Sequence, residues 1–479
     1  MSSAEDAASP MVRTEKDFLG EMCLPADAYY GIHTARALLN FPLTGTPPHP
    51  ALMIALAQVK KACARANLEA GYLAPEVANA IIVACDEMIY ELAEGRGELS
   101  RNLLVDALQG GAGTSTNMNV NEVVANRAEE LLGGRKGCYA LVHPIDSVNL
   151  HQSTNDVYPT ALKVAAITLL RRLEKEIAGL QQAFQEKERA FADVLKIGRT
   201  QLQDACPITL GAGFSAFAEA LGRDRWRVFK CEERLRVVNL GGAAVGTGLT
   251  APRRYIFLAV DKLREETGLG LARAENLVDA TQNVDCFVEV SGILKAHAVN
   301  LFKISSDLRL LASGPKAGFG ELRLPAVQAG SSLMPGKVNP VVCEAVAQAA
   351  MSVMAQDAAG SMAAMSGQLE LNAFLPLIAH ALLGSLSLLE NACRMFRTRC
   401  VEGVEADREA CQAQVERSLT TVVALVPLLG YETAATIATA ARETGKTVKA
   451  LVLELGLLDE QTLDHALSPA AMTTLGFQG

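Results

Sequence analysis

Residues 330–340 read GSSLMPGKVNP, and the interpretation of the whole chain starts from this stretch. Its apolar residues follow neither a helical nor a strand period, which predicts a loop. Gly330 and Gly336 permit backbone geometries closed to other residues and close approach to a ligand. Lys337 supplies a positive charge, Asn339 can donate and accept hydrogen bonds, and two serine hydroxyls are available for proton transfer. An ordinary surface turn is the alternative interpretation. The loop alone does not decide between the two, so the evidence must come from the rest of the chain.

The composition favours a large helical protein. Half of the 479 residues are hydrophobic, which is enough for a large core divided over two or three domains. Aromatic residues make up only 5%, and this scarcity favours long packed helices over a β-sandwich. The formal net charge of −9 argues against a general nucleic-acid binder. It does not exclude an anionic small substrate, because local positive groups decide that.

The cysteines and histidines carry no metal-binding or redox pattern. The eleven cysteines include no CxxC pair, and the seven histidines include no HxxxH or HExxH pair. We therefore expect a reduced, cytoplasmic protein with mostly core cysteines and no metal site. The polar, acidic beginning predicts no signal peptide, and residues 1 to about 10 are expected to be disordered. No apolar run reads as long enough to span a bilayer.

Apolar periodicity predicts a mainly all-α protein. Earlier helices are predicted over residues 51–70 and 74–94, and small terminal helices over 431–444, 446–454 and 459–466. Five long patterns, which together predict an extended bundle, cover residues 158–195, 210–238, 286–313, 341–364 and 373–400. The glycine-rich link at residues 241–248 turns the chain, and it lacks the Gly-Lys-Ser/Thr ending of a P-loop.

Three further polar stretches lie beside predicted helices. Residues 110–119 (GGAGTSTNMN) read as a glycine-rich turn whose hydroxyls cap a helix over 120–132, as an anion site, or as both. Residues 143–156 (HPIDSVNLHQSTND) lead into the longest helix, where capping by Ser153, Thr154 or Asn155 is expected. Residues 198–207 (GRTQLQDACP) follow the end of that helix.

Four such stretches are hard to explain as four unrelated turns. Nine of their residues form a set of neutral hydrogen-bond donors with one cation, which suits a small dicarboxylate. Because the set holds no His, Asp or Glu, it points to a serine as the proton-transfer group, whose alkoxide needs dipoles or a cation nearby. The set is Thr114, Ser153, Thr154, Asn155, Thr200, Gln201, Ser331, Lys337 and Asn339.

These stretches resemble, in order, the signature segments of the aspartase/fumarase superfamily. The similarity runs from about residue 14 to residue 474, and its most specific segments are 113–119, 152–156, 198–204, 241–248 and 330–339. Within the superfamily the chain is most similar to the aspartases. Residues 27–31 (DAYYG) and 367–372 (GQLELN) are of the aspartase type, and Gln201 stands where fumarases generally carry a histidine.

The resemblance implies a three-domain, mainly all-α fold. It implies an N-terminal helical domain over residues 1–149, a central five-helix bundle over 150–402 with the catalytic loop at 328–340, and a small C-terminal helical domain over 403–479. It also implies a homotetramer whose bundles join into a larger one, with each active site built from three chains. Nucleic-acid and membrane partners are not expected.

The resemblance further implies reversible deamination of L-aspartate to fumarate and ammonia, by anti elimination through an aci-carboxylate. No cofactor and no metal are expected, because the substrate carboxylate is itself the electron sink. Ser331 would be the base, and Thr114 with Ser153 or Thr154 would stabilise the intermediate. The remaining expected contacts are Lys337 and Asn339 to the α-carboxylate, Asn155, Thr200 and Gln201 to the amino group, and Ser332 to a carboxylate or the loop backbone.

The chain departs from the family pattern at several positions. Val426 and Leu428 stand where the family generally has asparagine and histidine, Ala212 and Gly213 replace Gln-Glu, and Ile145 replaces a polar residue. These departures bear on substrate range and regulation. Three alternatives therefore stay open: a fumarate hydratase, a lyase acting on N-substituted aspartates or argininosuccinate, and a catalytically silent homologue.

Overall fold

The computed structural model describes residues 11–476, so the disorder expected for residues 1 to about 10 lies outside the described residues. Helices dominate this part of the chain. They are α1 (Ile32–Asn40), α2 (Pro50–Ala70), α3 (Pro75–Glu94), α4 (Thr114–Leu131), α5 (Thr154–Ala190), α6 (Leu210–Leu235), α7 (Arg253–Thr267), α8 (Leu277–Gln282), α9 (Asp285–Leu311), α10 (Val341–Met365), α11 (Leu375–Arg399), α12 (Arg408–Arg417), α13 (Val426–Leu429), α14 (Tyr431–Thr444), α15 (Val448–Glu454), α16 (Glu460–Ala466) and α17 (Pro469–Thr473).

Eight short strands form four two-stranded sheets. The antiparallel pairs are β1 (Val12–Asp17) with β2 (Gly20–Pro25), β3 (Leu195–Thr200) with β4 (Gln203–Thr209), and β7 (Leu322–Arg323) with β8 (Glu405–Ala406). The strands β5 (Val237–Val238) and β6 (Ala272–Arg273) pair in parallel. Short helices of other types occur at Ser100–Asn102, Pro144–Val148, Val401–Gly403 and Leu419–Leu425.

The mainly all-α prediction is confirmed. The five long helices predicted from periodicity are α5, α6, α9, α10 and α11, which run for 37, 26, 27, 25 and 25 residues. Helices α2 and α3 show how local sequence sets such bounds. Each begins with a proline in its first turn, where no N–H partner is needed, and each ends at a glycine in the left-handed conformation.

The chain divides into two compact units. Unit 1 contains the described residues up to Leu173, together with Arg227–Lys295 and Ser352–Leu388. Unit 2 contains Glu174–Trp226, Ala296–Met351 and the described residues from Leu389 onward. The dividing points fall within the five long helices. The sequence-based domain boundaries at 149/150 and 402/403 stay a prediction.

In unit 1, α2 is the central helix and packs on both α3 and α7, while α4 packs on α3 and α1. Leu56, Ile81 and Met88 are fully buried there. Unit 2 has an aromatic cluster in which the ring of Phe184 lies 5.8 Å from Phe214 and 6.0 Å from Phe396. A second apolar cluster in unit 2 joins the Leu419–Leu425 turn to α14, α15 and α16.

The expectation about membrane-spanning length is wrong for one helix. The span Leu375–Gly403 contains an 18-residue window of mean hydropathy 1.3, so it is long and apolar enough by composition. This window contains no long uninterrupted apolar run, because polar residues are interspersed among the apolar ones. Because 67% of the window is buried inside the protein, α11 behaves as a core helix.

Candidate active site

In unit 1, residues 111–113 form the turn that the sequence predicted, but the helix after it begins at residue 114 and not at 120. Helix α4 begins at Thr114, and its N-cap is Gly113 at a φ of 94°, with no side-chain cap. The reason is that the polar side chains have tertiary partners: Asn119 accepts from the N–H of Leu104 at 3.0 Å and donates to the carbonyl of Asn102 at 2.9 Å. Thr114 stays exposed at the helix start, donating to the carbonyl of Gly111 at 2.7 Å.

Helix α5 is capped as the sequence predicted. The Oγ of Ser153 accepts from the N–H of Asn155 at 3.2 Å, and the Oδ1 of Asp156 accepts from the N–H of Ser153 at 2.9 Å. This reciprocal arrangement is a capping box. The Oγ of Thr154 accepts from the side-chain amide of Asn117 at 3.2 Å. Since Asn117 is in the first turn of α4, the N-termini of α4 and α5 lie side by side.

The glycine-rich link at residues 241–248 supports the start of α5. The Nδ2 of Asn155 donates to the carbonyl of Ala244 at 2.8 Å. The buried Oδ2 of Asp156 accepts from the N–H groups of Gly241 and Ala243 at 3.0 and 3.2 Å. Burial raises the pKa of Asp156 to about 6. Within the described residues the Oδ1 of Asn155 accepts no hydrogen bond, so it can accept one from an amino group.

Sequence reasoning missed Lys60, which lies behind the polar stretch 143–156. Its side chain is fully buried, and its ammonium donates to the Oδ1 of Asn149 and the Oε1 of Gln152, both at 2.8 Å. Burial lowers the pKa of Lys60 to about 8. The Oδ1 of Asn149 also accepts from Asn117 and Asn121. A lysine on the apolar face of a helical pattern is the signal that could have found this network.

In unit 2, residues 330–340 form the irregular loop that the sequence predicted. The N–H of Gly330 donates to the carbonyl of Lys337 at 2.8 Å, and the Nδ2 of Asn339 donates to the carbonyl of Gly330 at 2.6 Å. A Cβ on Gly330 would come within 2.6 Å of the Lys337 carbonyl oxygen, so only glycine fits this crossing. The amide of Asn339 therefore closes the loop, a contact that the sequence did not suggest.

The hydroxyl of Ser331 lies in a small group of backbone donors. Its Oγ accepts from the N–H of Leu333 at 3.1 Å and from the N–H of Met334 at 2.8 Å. Hydrogen bonds of this kind favour the charged form of the group that accepts them. Ser332 and Lys337 are exposed on the same loop.

Thr200 and Gln201 lie at the tip of the β3–β4 hairpin, also in unit 2. Both side chains are exposed. The two turn residues, Gln201 and Leu202, have φ angles of 53° and 62°, which side chains with a Cβ rarely adopt. The sequence marked this stretch as irregular and did not predict a hairpin.

The predicted residues thus form two groups. Unit 1 brings together Thr114, Ser153, Thr154 and Asn155, and unit 2 carries Thr200, Gln201, Ser331, Ser332, Lys337 and Asn339. Hydroxyl, amide and backbone donors predominate in both groups. No cluster of three or more His, Cys, Asp or Glu side chains placed to hold a metal ion occurs among residues 11–476.

Comparison with known proteins places this chain among lyases. A family model described as lyase matches residues 20–355, and one described as fumarase C C-terminus matches residues 422–474. An aspartate ammonia-lyase from Bacillus sp. is 46% identical over 98% of this chain and 99% of its own length. One from Pseudomonas fluorescens is 49% identical over 96% of each chain. A fumarate lyase:delta crystallin structure from Brucella melitensis shares 48% identity and a TM-score of 0.93, covering 97% of this chain and all of its own.

Proposed function

The chain belongs to the lyase family that contains these relatives, and we propose from this premise that it deaminates L-aspartate to fumarate and ammonia. The relatives that carry the proposal are named aspartate ammonia-lyase and cover 95–98% of this chain at 45–49% identity. The substrate is a dicarboxylate, and the reaction breaks a carbon–nitrogen bond. The two groups of site residues contain the donors that such a substrate requires.

The observation that supports the mechanism is the pair of N–H groups on the Oγ of Ser331. They lower the free energy of the alkoxide relative to the neutral hydroxyl, so the serine can act as a base. The alkoxide removes a proton from Cβ of L-aspartate, and the electron pair of that C–H bond moves into the β-carboxylate. The resulting aci-carboxylate then forms the C=C bond of fumarate as the C–N bond breaks and ammonia leaves.

The aci-carboxylate carries two negative charges, and preorganised neutral donors stabilise it. The hydroxyls of Thr114, Ser153 and Thr154 serve this purpose at the adjacent N-termini of α4 and α5, where the helix ends add positive potential. Removal of one such donor typically costs about 3–4 kcal/mol in barrier. The hydroxyls of Ser153 and Thr154 accept hydrogen bonds at the helix start and keep their protons for the substrate, so they need little reorganisation. The Thr114 hydroxyl must turn from the Gly111 carbonyl to the substrate.

The remaining residues bind the substrate. Lys337 is the cation for the α-carboxylate, with Asn339 beside it. Asn155 accepts from the amino group through its Oδ1, and Thr200 and Gln201 complete that contact. Ser332 binds a carboxylate or supports the loop. The reaction requires no cofactor in this scheme, since the electrons stay on the substrate.

We further propose that the protein is a cytoplasmic homotetramer with each active site built from three chains. Helix α10 supports this proposal, because it has only two charged residues, Glu344 and Asp357, in 25 positions and is apolar on all sides. Such a helix is normally buried. Met362 and Met365 on α10 are nonetheless 59% and 80% exposed in the single chain, which is the exposure expected of a face that another copy covers.

A direct assay tests the proposed reaction. Purified protein is incubated separately with L-aspartate and L-malate, and fumarate is followed by its ultraviolet absorbance. Fumarate and ammonia appearing in equal amounts from L-aspartate are the expected result. Fumarate appearing from malate alone would favour a fumarate hydratase instead, and release from argininosuccinate alone would favour a lyase for N-substituted aspartates.

A further inference from the structure

The turn that presents Thr200 and Gln201 is held in an unfavourable backbone conformation. It connects the paired residues Thr200 and Gln203 of β3 and β4, and both of its central residues, Gln201 and Leu202, have positive φ angles. Two-residue turns of this kind normally use Asn-Gly, because side chains with a Cβ clash in the left-handed region. Such a conformation persists only where the surroundings hold it.

Arg199 makes the contacts that can hold it. Its guanidinium donates from Nη1 to the Oε1 of Glu321 and from Nη2 to the Oε1 of Gln414, both at 2.6 Å. One face of the guanidinium lies 4.0 Å from the ring centroid of Phe319. Gln414 in turn donates to the carbonyl of Phe319 at 2.6 Å, which closes the cluster. Arg199 directly precedes Thr200, and its guanidinium is therefore held at Nη1, at Nη2 and on one face.

Glu321 fixes the same strand at a second point. Its carboxylate is fully buried, and its Oε2 lies 3.2 Å from the ammonium of Lys196. Two cations of β3 thus bind one buried carboxylate, where solvent and salt screen the attraction little. Between them, Gly198 interrupts the register of the hairpin, and a Cβ there would lie 2.7 Å from the carbonyl oxygen of Cys206. This irregularity turns the side chain of Arg199 relative to a regular strand.

The other strand of the hairpin has its own anchor next to the turn. The Oδ2 of Asp204 accepts from the hydroxyl of Ser418 at 3.1 Å. The side chains of residues 200–203, by contrast, make no hydrogen bond to any described residue and are exposed. The hairpin is therefore fixed on both strands just before its tip, and only the tip is left for a ligand.

We propose that Arg199 is a positioning residue, which acts by holding the Thr200–Gln201 turn in the conformation that binds substrate. This inference rests on the proposed function, because that proposal assigns Thr200 and Gln201 to the substrate. Arg199 itself touches no substrate in this scheme. Its effect on the reaction passes through the orientation of the turn.

The substitution Arg199→Lys separates the two parts of this role. Lysine keeps a positive charge for Glu321, but a single ammonium cannot also reach Gln414 and stack on Phe319. The variant should keep the buried ion pair with Glu321 and therefore the fold of the hairpin. The turn, however, is no longer held in one orientation. We expect kcat/KM for L-aspartate to fall about 10- to 100-fold, the range that misplacement of a binding group produces.

A double-mutant cycle with Thr200→Val distinguishes positioning from a merely structural role. If Arg199 acts through the turn, Arg199→Lys should add no more than about 2-fold to the loss already caused by Thr200→Val. The matched control is Arg408→Lys on α12, whose guanidinium forms an exposed ion pair with Asp193 at 2.9 Å. This control should leave kcat/KM unchanged and its effect, if any, should multiply independently with that of Thr200→Val.

Two kinds of result would contradict the positioning role of Arg199. Losses from Arg199→Lys and Thr200→Val that multiply in full would overturn the inference while leaving the proposed function intact. A wild-type enzyme that releases no fumarate from aspartate, or a Thr200→Val variant with unchanged kcat/KM, would overturn the assignment of the turn to the substrate and the inference with it. If Arg199→Lys does not fold, the same cycle with Gln414→Met replaces it. Within residues 11–476 the side chain of Gln414 hydrogen-bonds to Arg199 and to the carbonyl of Phe319 alone, so its effect on the turn passes through them.

Discussion

Ser331 depends on two backbone N–H groups for its proposed role as base, and these groups belong to a loop that folds around its hydroxyl. Replacing Ser331 with alanine removes the base but not the loop closure between Gly330 and Lys337. We expect the Ser331→Ala variant to keep its secondary structure and oligomeric state and to lose at least about 1,000-fold in kcat. Circular dichroism, gel filtration and the fumarate assay measure these quantities.

The matched control for this variant is Ser332→Ala, which should lose far less activity. Activity of Ser331→Ala within a few-fold of the wild type would remove Ser331 as the base.

The buried side chain of Lys60 should make the stability of the protein depend on pH. Burial lowers its pKa in the folded state to about 8, so between pH 8 and the ordinary lysine value the unfolded chain binds more protons than the folded one. Stability from this group must therefore rise with pH over that interval, by up to ~3 kcal/mol in total. Urea unfolding at fixed protein concentration, from pH 7 to 10, measures the slope. Lys60→Met should lack this rise, and parallel pH profiles for variant and wild type would contradict the buried, charged assignment.

At the scale of elements, helix α1 is capped by a residue far away in sequence. Its own N-cap, Gly31, has no side chain for the purpose. The buried carboxylate of Glu122 instead accepts from the N–H groups of Gly31, His33 and Thr34 at 2.9, 2.8 and 3.1 Å, and from the Thr34 hydroxyl at 2.6 Å. Helix starts require such acceptors, and this one comes from α4.

Glu122→Gln should therefore loosen α1. An amide presents one oxygen and one N–H₂ group, so at least one buried donor of the helix start loses its acceptor, at a cost of about 2–3 kcal/mol. Native-state hydrogen exchange over residues 32–40 should report faster exchange there than elsewhere in unit 1. Glu87→Gln is the control, since Glu87 is a partly exposed partner of Arg127 whose loss should cost at most about 1 kcal/mol. Unchanged protection of α1 in Glu122→Gln would contradict the capping role.

Apolar periodicity predicted the long helices correctly but did not predict the short strands, for a physical reason. The bounds of α14 match the prediction at both ends, and those of α10 and α11 agree within two residues. The hairpins β1–β2 and β3–β4 were missed because short strands show little alternation, and the second hairpin turns at Gln-Leu rather than at a glycine pair. The start of α4 was placed six residues late because tertiary partners of its polar side chains cannot be read from sequence.

The same limit applies to the candidate site. The composition of the four polar stretches was enough to select Ser331, Lys337 and the hydroxyl residues, because loops and helix starts are local features. The supporting contacts were not predictable, since Lys60 reaches Asn149 and Gln152 from a distant part of the sequence. Glu321 and Gln414 reach Arg199 in the same way. The departure at Val426 is partly explained: its side chain packs against the apolar cluster of α14–α16, where an asparagine would have to be desolvated.

At the scale of the whole molecule, the exposed face of α10 is expected to be needed for assembly. Met362→Glu places a charge on a face that we propose to be covered by another copy. Burial of an unpaired carboxylate is costly, so the variant should dissociate and lose fumarate production. Analytical ultracentrifugation over a range of concentrations measures the assembly state. Tyr431→Glu, at a similarly exposed position on α14, is the control and should keep the tetramer. A tetrameric, fully active Met362→Glu variant would show that this face is not an interface.

If each active site takes its residues from three chains, two inactive variants should restore activity when they assemble together. Thr114→Val damages the group in unit 1 and Ser331→Ala the group in unit 2, and each pure tetramer lacks one group at every site. In tetramers mixed at random from both variants, roughly a quarter of the sites draw an intact Thr114 from one copy and an intact Ser331 from another. Co-expression with two affinity tags and sequential purification isolates the mixed tetramers, and the fumarate assay then measures them. The separately purified variants, combined without exchange of subunits, are the control. Mixed tetramers no more active than that control would mean that both groups at a site come from one chain. Each polypeptide would then bring one of the two defects to its own site, and mixing whole chains could not produce an intact site.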